Sequence, residues 1–317
     1  MSKSLDRFRR EWLRIWNVLG RINWSDETFT PEKAYICSVF SKLAYLHVPE
    51  FEVLGESQVK VIPCLTHQEI AARGLGISTT EFIRRLDIPD AFIIETEYAI
   101  VVGAVVQNVL ILAFRGTRLL YLSDWFIDLH AAPFRPPIGS DHVFHKGFYL
   151  ALTQCLDRVT LDVKQRLNGK NIPVYVTGHS LGGALAAVIH ALRNKKFLAR
   201  YQFEGVNETV LETHSCYTFG MPRYGSTATM LDLPVPHHLY NARDIVPLLP
   251  PKFIGFADTP REYVVGNTGT LESISVRPSL SISSALGRLH LARGIRHHFI
   301  ERYIKNIYAH LKHYRQV

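Results

Sequence analysis

Residues Val174-Tyr-Val-Thr-Gly-His-Ser-Leu-Gly-Gly-Ala-Leu-Ala-Ala-Val188 set a serine between glycines where the residue preferences change abruptly. Val174–Thr177 favour a strand, and the Ala- and Leu-rich run from Leu181 to about Phe197 favours a helix. Ser180 therefore occupies a G-x-S-x-G turn between strand and helix, the nucleophile-elbow arrangement. So tight a turn leaves almost no room for flanking side chains and lifts the serine hydroxyl above the end of the sheet. The new helix aims its unpaired N–H groups and positive dipole end at the same spot, where developing negative charge is stabilised. The competing reading is a tight βα turn carrying a solvated serine. The combination of strand, elbow and Ala-rich helix weighs against it.

A serine hydroxyl is a weak nucleophile at neutral pH. It needs a histidine to take its proton and a carboxylate to hold that imidazole in the useful tautomer. In elbow hydrolases the chain order is serine, acid, histidine, so Asp124, Asp128, His142 and His145, which precede Ser180, fall outside such a triad. Asp244 leads among the acids. It follows an expected strand, His237–Asn241, and precedes Val246-Pro-Leu-Leu-Pro-Pro251, a turn that would fix it near the sheet end. Asp232 and Asp258 are the alternatives, and a turn-forming Asp244 paired with Arg243 is the purely structural one. The downstream histidines are His237, His238, His290, His297, His298, His310 and His313. The first two begin the Asp244 strand and belong at its far end. His310 and His313 lie deeper in a basic closing helix. His297 and His298 lie near the start of that helix, where an imidazole can swing over the sheet end.

The elements that must position these groups read as alternating strands and helices. Helices are expected over residues 3–21, from the cap Thr30 and Pro31 to about Leu46, over Val143–Leu167 with a stop at Asn168-Gly169, and over Ile295–His313. Strands are expected at Ala91–Glu97, Tyr98–Val106, Val109–Phe114, Glu212–Gly220 and His237–Asn241, with weaker ones near Lys252–Ala257 and Glu262–Val265. Gln107-Asn108 reads as a hairpin turn in which the asparagine tolerates positive φ. A short strand at Val59–Cys64 and short helices at Glu69–Arg73 and Thr79–Leu86 complete the early part, and residues 266–294 read as loop. Such alternation implies an α/β fold with a mostly parallel central sheet and helices on both faces, its site beyond the carboxyl ends of the strands.

With 317 residues, 47% of them hydrophobic and 20% charged, the chain has the composition of an ordinary globular protein with one large core. The four cysteines are scattered without metal-ligand spacing, and H-E-x-x-H is absent, so neither a metal nor another cofactor is expected. No signal peptide or transmembrane run is legible, which points weakly to a cytoplasmic or peripheral-membrane location. A net charge of +8 accompanies no nucleic-acid-binding motif, so no nucleic-acid partner is expected. Attraction to an anionic membrane surface suits the chemistry better. Leu5, Phe8, Trp12, Ile15 or Trp16, and Leu19 recur at helical spacing with arginines between them, a pattern for packing on the parent domain or lying on a membrane.

Six blocks of sequence resemble the class 3 lipases, the family of the fungal triacylglycerol lipases within the α/β-hydrolase superfamily. They are Phe114-Arg-Gly-Thr117, Asp124-Trp125 with Asp128-Leu129, Val143-Phe-His-Lys-Gly-Phe148, Val176-Thr-Gly-His-Ser-Leu-Gly-Gly-Ala-Leu185, Thr218-Phe-Gly-Met-Pro-Arg223 and Asn241-Ala-Arg-Asp-Ile-Val-Pro247. The resemblance implies an α/β-hydrolase fold and a lipid or other ester substrate. It assigns Ser180 as nucleophile, Asp244 as acid and a histidine of the closing helix as base. The family's usual Asp-His ending is His297-His298 here, followed by Tyr303, so His298 aligns with the base and His297 replaces the common aspartate. The oxyanion hole maps to the N–H and hydroxyl of Thr117 with the N–H of Leu181. Residues 118–130 map to a lid or a fixed wall over an acyl cleft, with Leu119, Leu122 and Phe126 on one helical face and Trp125 on another. The implied division is an N-terminal helical extension over 1–29 and a hydrolase domain over 30–317.

Overall fold

Strands in which every residue is buried mark the centre of the molecule. In the computed structural model, residues 3–20, 22–45, 88, 90–96, 99–115, 132–136, 141–193, 211–266, 270–274 and 296–315 are described. The runs VLILAF (β3, Val109–Phe114), VYVTGH (β6, Val174–His179), SCYTF (β7, Ser215–Phe219) and HHLYN (β8, His237–Asn241) are buried throughout. Near-continuous burial of this kind belongs to strands covered on both faces. They are flanked by β1 (Phe92–Glu95), β2 (Ile100–Val106), β9 (Glu262–Val265) and β10 (Leu271–Ile274), giving an eight-stranded sheet in the order β1-β2-β3-β6-β7-β8-β9-β10. The five strands from β3 to β9 in that order are parallel, and the edges are antiparallel. A short pair, β4 (Pro133–Phe134) and β5 (Phe144–His145), stands apart. The expected α/β-hydrolase architecture is the one observed.

Six helices among the described residues cover the sheet: α1 (Lys3–Leu19), α2 (Pro31–Leu43), α3 (Lys146–Leu167), α4 (Leu181–Ala191), α5 (Thr227–Asp232) and α6 (Ile300–Arg315). On one face α1, α2 and α6 bury Phe8, Trp12, Phe40, Tyr303 and Ile307 against Ile111, Tyr175, Tyr217 and Leu239. On the other, α3 and α4 bury Phe148, Leu152, Leu185 and Val188 against Leu110, Leu112, Val176 and Cys216. The strand residues alternate between the two clusters as a period of two requires. Helix α4 is buried almost all round, which its alanines and glycines allow.

The buried lysines are bound to specific partners. Lys33 donates to the carbonyls of Asp26 and Thr28, and burial holds its amine below the ordinary lysine range. Lys42 pairs with Glu11 at 2.9 Å, tying α2 to α1. Thr30 caps α2 by accepting the Lys33 N–H at 3.3 Å. Asn168 closes α3 in the left-handed region at φ 44°. Cys37, Cys155 and Cys216 are buried free thiols.

Three local expectations are corrected. Gln107, not Asn108, takes the positive φ of the β2–β3 turn, at 54°. Residues 252–257 do not form a strand: Lys252–Ile254 is a 3₁₀ turn opened by Pro251 and closed by Gly255 at φ 97°. Leu271–Ile274, inside the stretch read as loop, pairs with β9 as the sheet edge. The segments Val59–Cys64, Glu69–Arg73 and Thr79–Leu86 lie outside the described residues.

Candidate active site

The elbow is a backbone construction. Strand β6 ends at His179, helix α4 begins at Leu181, and Ser180 between them adopts φ 57°, ψ −131°, a conformation that L-residues rarely occupy. Such strain persists when neighbours over-determine it. Here the Ser180 N–H donates to the Phe219 carbonyl at 3.0 Å, and the Ser180 carbonyl accepts from Gly183 at 3.0 Å. Glycine is required at 178, since a Cβ there would lie 2.2 Å from the Gly182 carbonyl oxygen. Gly183 faces Met221, whose Cβ would stand 3.1 Å from an added methyl. Leu181 is the first residue of α4, so its N–H lies outside the helical ladder and is available to an acceptor above the turn.

Asp244 and His298 meet in the interior. His298 Nδ1 donates to Asp244 Oδ2 at 2.8 Å, with both side chains fully buried. Asp244 also accepts from the Val246 N–H at 2.9 Å and from the Tyr303 hydroxyl at 2.5 Å. A buried carboxylate with three donors is well compensated. Because Nδ1 carries the proton given to Asp244, Nε2 of the neutral ring is the acceptor nitrogen. His298 Nε2 and Ser180 Oγ are both buried, and neither has a hydrogen-bond partner among the described residues.

Backbone and side chains around this pair fix it further. The Asn241 N–H donates to the Tyr303 oxygen at 3.1 Å, and the Asn241 amide to the His297 carbonyl at 2.7 Å. His179 Nε2 donates to the His298 carbonyl at 2.5 Å, and the two rings lie 4.4 Å apart. Burial, then the neighbouring His298, holds His179 well below the ordinary imidazole value, so it stays neutral. Gly220, at φ +55°, passes so close that an added Cβ would lie 2.6 Å from Asp244 Oδ2 and 3.0 Å from His298 Nδ1. Arg223 donates to the Leu248 and Pro250 carbonyls and pairs with Asp258 at 2.7 Å, bracing the proline-rich loop that follows Asp244.

The other candidates lie elsewhere. His297 stacks its ring nitrogens against Arg302, 3.1 Å from Nδ1, and does not take the Asp244 bond. Asp232 pairs with His142, and Asp258 with Arg223 and Lys252. His237 bonds Tyr263 and the Glu27 carbonyl, while His238 bonds Glu262 and the Met221 N–H. Thr117, Leu119, Leu122, Trp125 and Phe126 lie outside the described residues; the strand leading to them ends at Phe114, in register with Gly178 of the elbow. Sequence reasoning assigned no role to His179, Asn241 or Tyr303. The signal for the last was its place one turn into the closing helix, on the face that carries buried Ile304 and Ile307.

Comparison with known proteins agrees with the fold. Residues 111–254 match the class 3 lipase family model. A lipase of Rhizomucor miehei is 33% identical over 165 residues, 50% of this chain and 42% of that protein. A secreted mono- and diacylglycerol lipase of Malassezia globosa is 31% identical over 170 residues, 49% of this chain and 51% of that protein. The matches thus span about half the length of these curated relatives. Among solved structures, the Rhizomucor miehei triacylglyceride lipase superposes with TM-score 0.50 at 23% identity, covering 86% of this chain and 91% of that one. A mutant form of MDLA from Penicillium cyclopium superposes with TM-score 0.52 at 17% identity, covering 88% of this chain and 100% of that one.

Proposed function

We propose that this chain, whose residues 111–254 match the class 3 lipase family model, is a serine carboxylester hydrolase acting on lipid esters. The observation that carries this reading is the buried Asp244–His298 bond at 2.8 Å, and the strained Ser180 at the elbow supports it. His298 Nε2 takes the proton of Ser180 Oγ as that oxygen attacks the ester carbonyl carbon. Asp244 holds the ring in register and balances its positive charge. The tetrahedral oxyanion is received by the N–H of Leu181 and by the N–H and hydroxyl of Thr117. Collapse breaks the bond to the alcohol, which leaves with the proton from His298, and an acyl-serine remains. Water then gives a proton to His298, attacks the acyl carbon and releases the fatty acid as the proton returns to Ser180.

The lipid substrate is supported by the relatives, named as lipases of triacylglycerides and of mono- and diacylglycerols. Acyl length is the natural specificity variable, because each CH₂ buried in a hydrophobic cleft contributes about 0.8 kcal/mol. A fluorophosphonate probe tests the nucleophile: the wild type should label, and Ser180→Ala and His298→Ala should not. Failure of the wild type to label would leave a catalytically silent binding protein. An ester panel then separates the substrate classes. Preference for emulsified triacylglycerols identifies a lipase, for diacylphospholipids a phospholipase A, and for short dissolved esters a soluble esterase.

A further inference from the structure

Helix α1 presents two faces with different content. Its inner face, Phe8, Trp12, Ile15 and Leu19, is buried in the core. On its outer face, steps of four and three residues place Arg9, Leu13 and Trp16 on one strip and Arg10, Arg14 and Asn17 on the next. All six are exposed, Leu13 at 57% and Trp16 at 45%. From Arg9 onward neither strip carries a carboxylate, and Asp6 lies one turn earlier on the helix. Glu11 is turned inward and paired with Lys42. The second strip borders a groove of about 370 Å³ shared with α6 and lined by Arg10, Glu11, Arg14, Ile304, Lys305 and Tyr308. The Arg14 guanidinium and the Lys312 ammonium both lie over the Tyr308 ring, at 4.9 and 5.3 Å. Among the described residues, ion pairs engage Lys42, Arg158, Arg193, Arg223 and Lys252, but not Arg10, Arg14 or Lys305.

We infer that this face is a docking surface for an anionic phospholipid bilayer. Arg10, Arg14 and Lys305 take lipid phosphates at the groove, while Leu13 and Trp16 sink between the headgroups. Charge complementarity selects this occupant. The apolar side chains are separated by arginines, as in helices that lie in a membrane interface, and the net charge of +8 adds attraction to an anionic surface. Helix α6 opens two residues after His298 and carries Lys305 roughly 8 Å along its axis, so docking would hold His298 near the lipid. This consequence rests on the function proposed above; the docking itself does not.

The test uses the full chain carrying Ser180→Ala, so that hydrolysis cannot alter the vesicles. Sedimentation with vesicles of phosphatidylcholine, alone or doped with phosphatidylglycerol, should show binding to the doped vesicles that weakens with added salt. Near an anionic surface each basic residue contributes about fivefold, so the triple variant R10Q/R14Q/K305Q should lose on the order of 100-fold. The pair Leu13→Ser and Trp16→Ser should lose roughly tenfold. Vesicle-induced blue shift of tryptophan fluorescence, measured in a Trp125→Phe background so that the candidate lid is silent, should disappear in Trp16→Phe. Equal binding to undoped vesicles, wild-type binding by the triple variant, or a shift that survives Trp16→Phe would each overturn the inference. Unchanged thermal melting and unchanged turnover of a dissolved short-chain ester, measured in the Ser180 background, separate lost docking from lost folding. Fluorophosphonate labelling of the wild type reads the catalytic proposal independently of vesicle binding.

Discussion

The two halves of the candidate site are held by different means. The Ser180 half is local: one strand end, one helix start and two glycines force the serine into φ 57°. The acid–base half is assembled across the chain. Its bonds join residues 54, 59 and 62 positions apart, from Asp244 to His298, from Asp244 to Tyr303 and from Asn241 to Tyr303. A backbone device has no spare volume, so it should fail when an atom is added. A side-chain network has no spare donors, so it should fail when an atom is taken away or changed.

Asp244→Asn gives the largest of these effects. The amide is nearly isosteric, so the fold should survive, but it cannot hold the imidazole in the useful tautomer, and kcat should fall about 10⁴-fold. Hydrolysis of a dissolved ester, with melting temperature as control, reads it out; a fall of under tenfold would remove Asp244 from the machinery. Gly178→Ala probes the opposite half by addition. Its methyl would lie 2.2 Å from the Gly182 oxygen and 2.3 Å from its carbon. Because those atoms are backbone, overpacking should cost about 3 kcal/mol in denaturant unfolding. Gly169→Ala is the control: φ is +79° there but nothing lies within 4 Å of the new carbon, so only about 1 kcal/mol of left-handed strain is expected. Equal losses at the two positions would mean that the elbow is not closed.

This contrast also explains what could be read in advance. The elbow is written in consecutive residues, and so are the strand before Asp244 and the helix after His298. The bonds of Tyr303, Asn241 and His179 are not, because each depends on a partner brought by another element. His179 is the plainest case. It sits inside the elbow motif, yet its ring serves the carbonyl of His298, 119 residues away. Strand β10 was missed for a related reason. Leu271–Ile274 is a half-exposed edge with no clean alternation, and its pairing with β9 supplies what the pattern lacks. The weaker strand expected near Lys252–Ala257 is instead a 3₁₀ turn over Lys252–Ile254. Pro251 before it and the left-handed Gly255 after it decide this.

Acid should weaken both halves through buried histidines. Burial lowers His237, at the start of the strand leading to Asp244, to about 4 from an ordinary value of 6.5. His179 at the elbow is displaced in the same direction. In the unfolded chain these rings take up protons near 6.5, whereas in the folded chain they resist. Stability is therefore full above pH 6.5 and is lost as the pH falls toward 4, with His237 contributing roughly 3 kcal/mol over that window. Denaturant unfolding at stepped pH should show this slope, and His237→Gln should reduce it by one proton. An unchanged slope in the variant would mean that His237 titrates normally.

The smallest effect is the sharpest test of the side-chain half. Tyr303→Phe keeps the ring that packs in the core and removes one oxygen, which gives a hydrogen bond to Asp244 Oδ2 and receives one from the Asn241 N–H. Asp244 retains the Val246 N–H and His298, so the carboxylate stays in place with one restraint fewer. A hydrogen bond to a charged group contributes about 1.5 kcal/mol at the lower end, so kcat should fall roughly tenfold. KM should not move, because Tyr303 reaches the reaction through Asp244 and not through substrate. The orphaned Asn241 N–H should cost a further 1 kcal/mol or so in stability. A variant that melts earlier but keeps the wild-type kcat would make Tyr303 a structural brace. A raised KM with kcat intact would place its hydroxyl against the substrate. The expected pattern, kcat lowered and KM unchanged, is the one that only a residue positioning the acid–base pair produces.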